Sequence, residues 1–234
     1  MPYKVNEPVE PQQRAVIDDD QLKRMMADSQ PSFFRYRLVT LALIAINVAV
    51  FALEAVLSGM RIDISTRTLV DMGAMYAPLV QSPADLYRFV TPMFLHMDLM
   101  HLGFNMVALY SVGEVLERTL GKGSYLALYF IAGITGNAVS YAADVLLGGG
   151  SAVSAGASTS VFGLFVAVAL LAVLHKGNRS LFTQYSKGML GVIAVNVAYT
   201  LLVPNISVSG HLGGALGGLV AMFMIPAASL RVPN

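Results

Sequence analysis

Cysteine and tryptophan are both absent from the 234 residues, and only 12% of them carry a charge. Without cysteine there is no disulfide framework, no thiolate zinc site and no thiol nucleophile. Without tryptophan, anchoring at a membrane–water interface falls to tyrosine, with Tyr76, Tyr87 and Tyr125 as candidates. A formal net charge of +1 with scattered basic residues gives no basis for nucleic-acid binding. No His-Glu-x-x-His motif occurs, and His96 and His101, five apart, would fall on different faces of a helix. Neither a metal nor a cofactor is therefore expected.

What is present is apolar. With 56% hydrophobic residues and a mean hydropathy of +0.64, the chain is more apolar than a soluble domain of this length requires. The expected fold class is an all-α integral membrane protein. Six apolar runs, at about Leu38–Leu57, Leu99–Glu117, Ser124–Leu147, Ala157–His175, Gly188–Val203 and Ser209–Ala227, each approach the length that crosses a bilayer. The first run lacks a small-residue cleavage site, so it reads as a span and not a signal peptide, and the amino terminus is expected to be kept.

An even number of spans puts both ends on one side. Lys4, Arg14, Lys23, Arg24, Arg35, Arg37, Arg118, Lys122, Lys176, Arg179, Lys187 and Arg231 fall on that face, against Arg61, Arg67 and Arg88 on the other. This asymmetry predicts cytoplasmic termini. Residues 1–31, with Asp18-Asp19-Asp20 and early prolines, read as a flexible cytoplasmic tail, 32–228 as the six-helix membrane domain and 229–234 as a short cytoplasmic tail. The loop Ser58–Asp98 is long and amphipathic, and is expected to lie in the outer interface.

Spans two, four and six run in the same direction, and each opens with a polar group: His101 and Asn105, Ser158, and His211. At a rise of about 1.5 Å per residue, Ser158 lies roughly 27 Å from Lys176, His211 roughly 30 Å from Arg231 and His101 roughly 25 Å from Arg118. All three groups thus share one level, a little below the outer face. Gly210, Gly214 and Gly218 form a G-x-x-x-G-x-x-x-G face suited to close packing, with the Gly156–Ser160 end of span four as the best partner. That packing would bring the His211 ring to the Ser158 hydroxyl, as a serine nucleophile requires. His101 and Asn105, four apart, share a helical face and can donate hydrogen bonds to a developing oxyanion, with the backbone N–H of Ser158 as a third donor.

Two other readings fit the same residues. The glycines and hydroxyls could serve helix packing alone. The polar groups, together with Asn47, Glu54, Asn137, Asp144 and Asn196, could line the pathway of a small transporter, although no carboxylate clusters with His211 to relay protons.

The motifs Tyr87-Arg88, Thr91-Pro92-Met93-Phe94-Leu95-His96, His101-Leu102-Gly103-Phe104-Asn105-Met106, Glu117-Arg118-Thr119-Leu120-Gly121, Gly156-Ala157-Ser158 and Gly210-His211-Leu212-Gly213-Gly214 occur in this order. In them the chain resembles the rhomboid intramembrane serine proteases, in their bacterial six-span form, over about residues 38–228. The resemblance implies a Ser158–His211 catalytic dyad without an acidic third member, an oxyanion site using His101, Asn105 and the Ser158 N–H, and Phe162 packed on the His211 ring. It also implies substrates that are single-span or other membrane proteins, entering laterally from the lipid bilayer past span five and the Pro204–Ser209 loop, in a bacterial inner membrane. Thr159 stands where the family usually has glycine. If Thr159 blocked the oxyanion site, the chain would instead be an inactive rhomboid-like binder of membrane segments. Helical backbone angles at Ser158 and Thr159 would make a glycine unnecessary there, and an active enzyme is expected.

Overall fold

The computed structural model describes residues 37–148, 152–174, 187–203 and 206–225. Both expected tails, the basic residues Lys176, Arg179 and Arg231, and residues 204 and 205 of the Pro204–Ser209 loop lie outside the described residues. Among the described residues six long helices follow one another: α1 (Leu38–Leu57), α2 (Leu99–Leu120), α3 (Lys122–Leu147), α4 (Ser158–Leu174), α5 (Leu190–Leu202) and α6 (Val208–Met224). Among the described residues there is no strand, only the isolated bridges Asp63–Asp98 and Met75–Ser154. The apolar runs become helices because a backbone in hydrocarbon has to satisfy its own N–H and C=O groups.

Three of the six, α1, α2 and α3, are long and apolar enough to cross a membrane. The other three are shorter, at 17, 13 and 17 residues for α4, α5 and α6. At about 1.5 Å per residue 17 described helical residues cover roughly 25 Å, a little less than the core of a bilayer. The first turns of α4 and α6 are where Ser158 and His211 sit.

Helix α6 is the centre of the bundle, wedged between α3 and α4 on two glycine seams. On one, a Cβ at Gly214 would collide with the Thr159 carbonyl oxygen and one at Gly218 with the Gly163 backbone. On the other, a Cβ at Gly217 would fall 2.8 Å from the Thr135 Cβ, and one at Gly213 2.9 Å from a Val139 methyl. The expected partner of the Gly210–Gly214–Gly218 face was the Gly156–Ser160 end. Contact does fall on that end at Thr159, which meets both Gly210 and Gly214, and it continues to Gly163 opposite Gly218, while the Gly210 carbonyl also faces Gly136 of α3.

At the opposite end of the bundle, Glu117 of α2 accepts hydrogen bonds from the backbone N–H groups of Val39 (2.9 Å) and Thr40 (3.0 Å) and from the Thr40 hydroxyl (3.0 Å). This carboxylate caps the amino terminus of α1 from a neighbouring helix, consuming donors a helix start leaves free. Tyr125 packs there too, fully buried with its hydroxyl 3.4 Å from that of Thr40, so it is a core residue and not an interfacial anchor.

The Ser58–Asp98 loop is folded onto the bundle. A short helix, Thr66–Asp71, is capped by the Ser65 hydroxyl, and three short 3-10 turns follow. Buried Arg88 donates from Nη1 to the carbonyls of Val70 (3.0 Å) and Ala74 (2.9 Å), cross-linking the loop to itself. Asn137 of α3 donates to the Phe89 carbonyl at 2.9 Å, and the Tyr129 hydroxyl to the Met93 carbonyl at 3.2 Å. Leu86 and Tyr87 remain exposed, the amphipathic side that the sequence placed toward an interface.

Candidate active site

Helix α4 starts abruptly. Ahead of it, Ser154 is extended and exchanges backbone hydrogen bonds of 2.9 Å with Met75, and Gly156 donates its N–H to the Pro92 carbonyl at 2.8 Å. The loop thus holds the chain straight until Ser158, the first helical residue. Gly156 has φ +140, a value that L side chains rarely adopt. A Cβ there would lie 2.7 Å from His101 Cε1 and 2.8 Å from its Nε2, so glycine also makes room for the imidazole. The Ser158 Oγ is 3.2 Å from the same point, which places His101 beside the serine.

His211, on the first turn of α6, brings Nε2 to 2.6 Å from Ser158 Oγ. Both residues are buried. The Phe162 ring, one turn into α4, stacks on the imidazole at 4.3 Å with an interplanar angle of 4°. The other ring nitrogen, Nδ1, is 2.9 Å from Thr200 Oγ1 on α5. Sequence reasoning missed Thr200. The available signal was its spacing from Asn196: four apart, they share a helical face, and both are buried in the structure.

Asp98 caps α2 by accepting the His101 N–H at 2.8 Å. One turn further on, Asn105 is buried and donates from Nδ2 to the His101 carbonyl at 3.0 Å, keeping its second amide hydrogen available. His101 is itself clamped by Tyr199 of α5, whose ring stacks at 5.8 Å. His96 precedes the helix, so spacing on a helical face does not govern it, and its ring meets that of His101 edge-on at 5.2 Å.

Thr159 faces away from this cluster. A Cβ at Gly136 of α3 would strike its Cβ at 2.7 Å, and one at Gly210 would touch its Cγ2 at 3.4 Å, so the threonine fills a gap that two glycines leave between α3, α4 and α6. Among the described residues Met60 is the one non-glycine with positive φ, so neither Ser158 nor Thr159 needs a glycine conformation. Of the polar groups that suggested a transport path, Asn47, Glu54, Asn137 and Asn196 are engaged locally. Asn47 and Asn196 donate to carbonyls in their own helices, and Glu54 accepts the His96 N–H at 3.1 Å.

A serine hydroxyl within hydrogen-bond distance of an imidazole, with further donors at a helix start, can carry out acyl transfer. The model of the rhomboid domain matches residues 83–228. The chain belongs to the rhomboid family. It is 35% identical over 196 residues to the rhomboid protease GluP of Bacillus subtilis, covering 83% of this chain and 35% of that protein. It is also 35% identical over 138 residues to the putative rhomboid protease YdcA of the same organism, covering 59% and 66%. Rhomboid-like protease 3 of Toxoplasma gondii is 36% identical over 155 residues, 65% of this chain and 56% of that protein. The chain therefore spans from about a third to two thirds of the length of these relatives. As a rhomboid-family chain with apolar helices it is a multi-pass membrane protein. Its matched stretch holds every residue of the Ser158 cluster, whereas α1 precedes it.

Proposed function

We propose that this chain is an intramembrane serine endopeptidase that cleaves transmembrane segments of other membrane proteins near the outer face of the membrane. The 2.6 Å contact between Ser158 Oγ and His211 Nε2 carries the reading. His211 takes the serine proton, the alkoxide attacks the scissile carbonyl, and water hydrolyses the acyl-enzyme after the amine has left with the proton from His211. The oxyanion is stabilised by the His101 and Asn105 side chains and the Ser158 N–H, aided by the α4 dipole. Phe162 holds the imidazole in plane. Substrates are single-span or other membrane proteins that enter from the lipid and unwind locally, because a helix shields its own peptide bonds. The charge asymmetry supports six spans with both termini cytoplasmic, residues 1–31 and 229–234 as tails and 32–228 as the membrane domain, in a bacterial inner membrane.

The test uses the purified protein in liposomes with a model single-span substrate. Ser158→Ala should lower cleavage by at least about a thousandfold, and a fluorophosphonate adduct should map to Ser158 and require His211. Cleavage retained in Ser158→Ala, or an adduct on Ser154 or Ser160, would remove the assignment. Substrate binding without cleavage by the wild type would make the chain a rhomboid-like binder.

A further inference from the structure

We infer that Thr200 is a positioning residue that fixes the tautomer of His211, so that the base is ready to accept the Ser158 proton; this rests on the proposed role of His211. The argument follows hydrogen atoms. A hydroxyl has one to donate, and that of Thr200 goes to the Asn196 carbonyl one turn earlier on α5, at 2.8 Å. Toward His211 Nδ1, at 2.9 Å, the same oxygen can then only accept, so Nδ1 carries the ring hydrogen. Nε2 is left bare. It accepts from Ser158 Oγ at 2.6 Å, which is the direction proton abstraction needs.

The opposite end gives the same polarity. Among the described residues Ser158 Oγ has no hydrogen-bond partner besides His211 Nε2, so its hydrogen finds a protein acceptor only if Nε2 is unprotonated. Reversing the chain would have Thr200 donate to Nδ1 and Nε2 donate to Ser158, stranding the serine hydrogen. Donation from Ser158 to His211 to Thr200 to the Asn196 carbonyl uses every hydrogen once.

A neutral acceptor suits this site. When the serine proton reaches Nε2, the imidazolium keeps its Nδ1 hydrogen and donates it to Thr200 Oγ1, a bond that strengthens as positive charge develops. Its effect falls on the chemical step and not on substrate binding. Thr200 does not touch the substrate. It sits on α5 while the base sits on α6, so the orientation of the base depends on the contact between these helices.

Nitrogen-15 NMR of the full chain, labelled on histidine, reads the tautomer directly. In wild type and in Ser158→Ala alike, His211 should show a hydrogen on Nδ1 and a bare Nε2. Thr200→Val should convert it to a tautomer mixture and lower kcat about ten- to hundredfold with KM within about threefold, while Thr200→Ser restores both within about threefold. A hydrogen on Nε2 in wild type would overturn the inference, as would a Thr200→Val enzyme with unchanged tautomer and kcat. Because the Ser158→Ala spectrum needs no activity, a failed cleavage assay and a wrong tautomer are separate outcomes.

Discussion

Helices α5 and α6 meet at the candidate site through the Thr200–His211 hydrogen bond and are held in opposite ways. The buried residues of α6 are mostly glycine, and its backbone touches those of α3 and α4 directly. Helix α5 buries Asn196 and Thr200, exposes Leu190, Val195, Leu201 and Leu202, and meets α2 through Tyr199 on the rings of His101 and Phe104. Between lipid and protein there is little hydrophobic gain from association, so close backbone contact and polar bonds decide which helices are fixed. By that measure α6 is fixed firmly and α5 lightly. The base sits on the firm helix and its hydrogen-bond acceptor on the light one.

The comparison is broken most directly at the α6 seams. Gly214→Leu and Gly218→Leu should each cost about 3 kcal/mol or more, since the new side chain meets backbone that cannot retreat, and unfolding in mixed detergent would register it. Tolerance of either leucine would show that the seam is loose.

Thr159→Gly tests the same seam from α4. Removing a side chain that Gly136 and Gly210 accommodate should cost about 1–2 kcal/mol of stability, from lost packing and a helical glycine. It should change kcat/KM by less than about tenfold, since the threonine faces away from the serine. A silent wild type rescued several hundredfold by Thr159→Gly would mean instead that the threonine obstructs the site.

The smallest effect belongs to the lipid-facing side of α5. Leu201 is 68% exposed, and Leu201→Ala should shift stability by less than about 0.5 kcal/mol in the same unfolding assay. A larger loss would show that α5 is anchored along that face as well.

Much of this was legible in one dimension. The apolar runs predicted all six helices to within a few residues, since chain length in hydrocarbon sets where helices start and stop. The same rise per residue placed Ser158, His101 and His211 at one depth. Gly156-Ala157-Ser158 and Gly210-His211 were visible as chemistry because polar groups at membrane depth are costly.

Neighbourhood was decided only by tertiary structure. The spacing of Gly210, Gly214 and Gly218 pointed to the face that meets α4, but that Gly213 and Gly217 meet α3 follows from interlocking that no spacing encodes. Tyr125 looked like an anchor and became core, because Thr40 and Glu117 of other helices converge at its end of the bundle. His96 looked helical but precedes α2, where the Asp98 cap starts the helix. Thr200 passed unnoticed because its one signal, a place four residues after Asn196, is ordinary until a histidine from another helix arrives at 2.9 Å. Sequence set the depth of each polar group through helix rise, and packing alone set which of them touch.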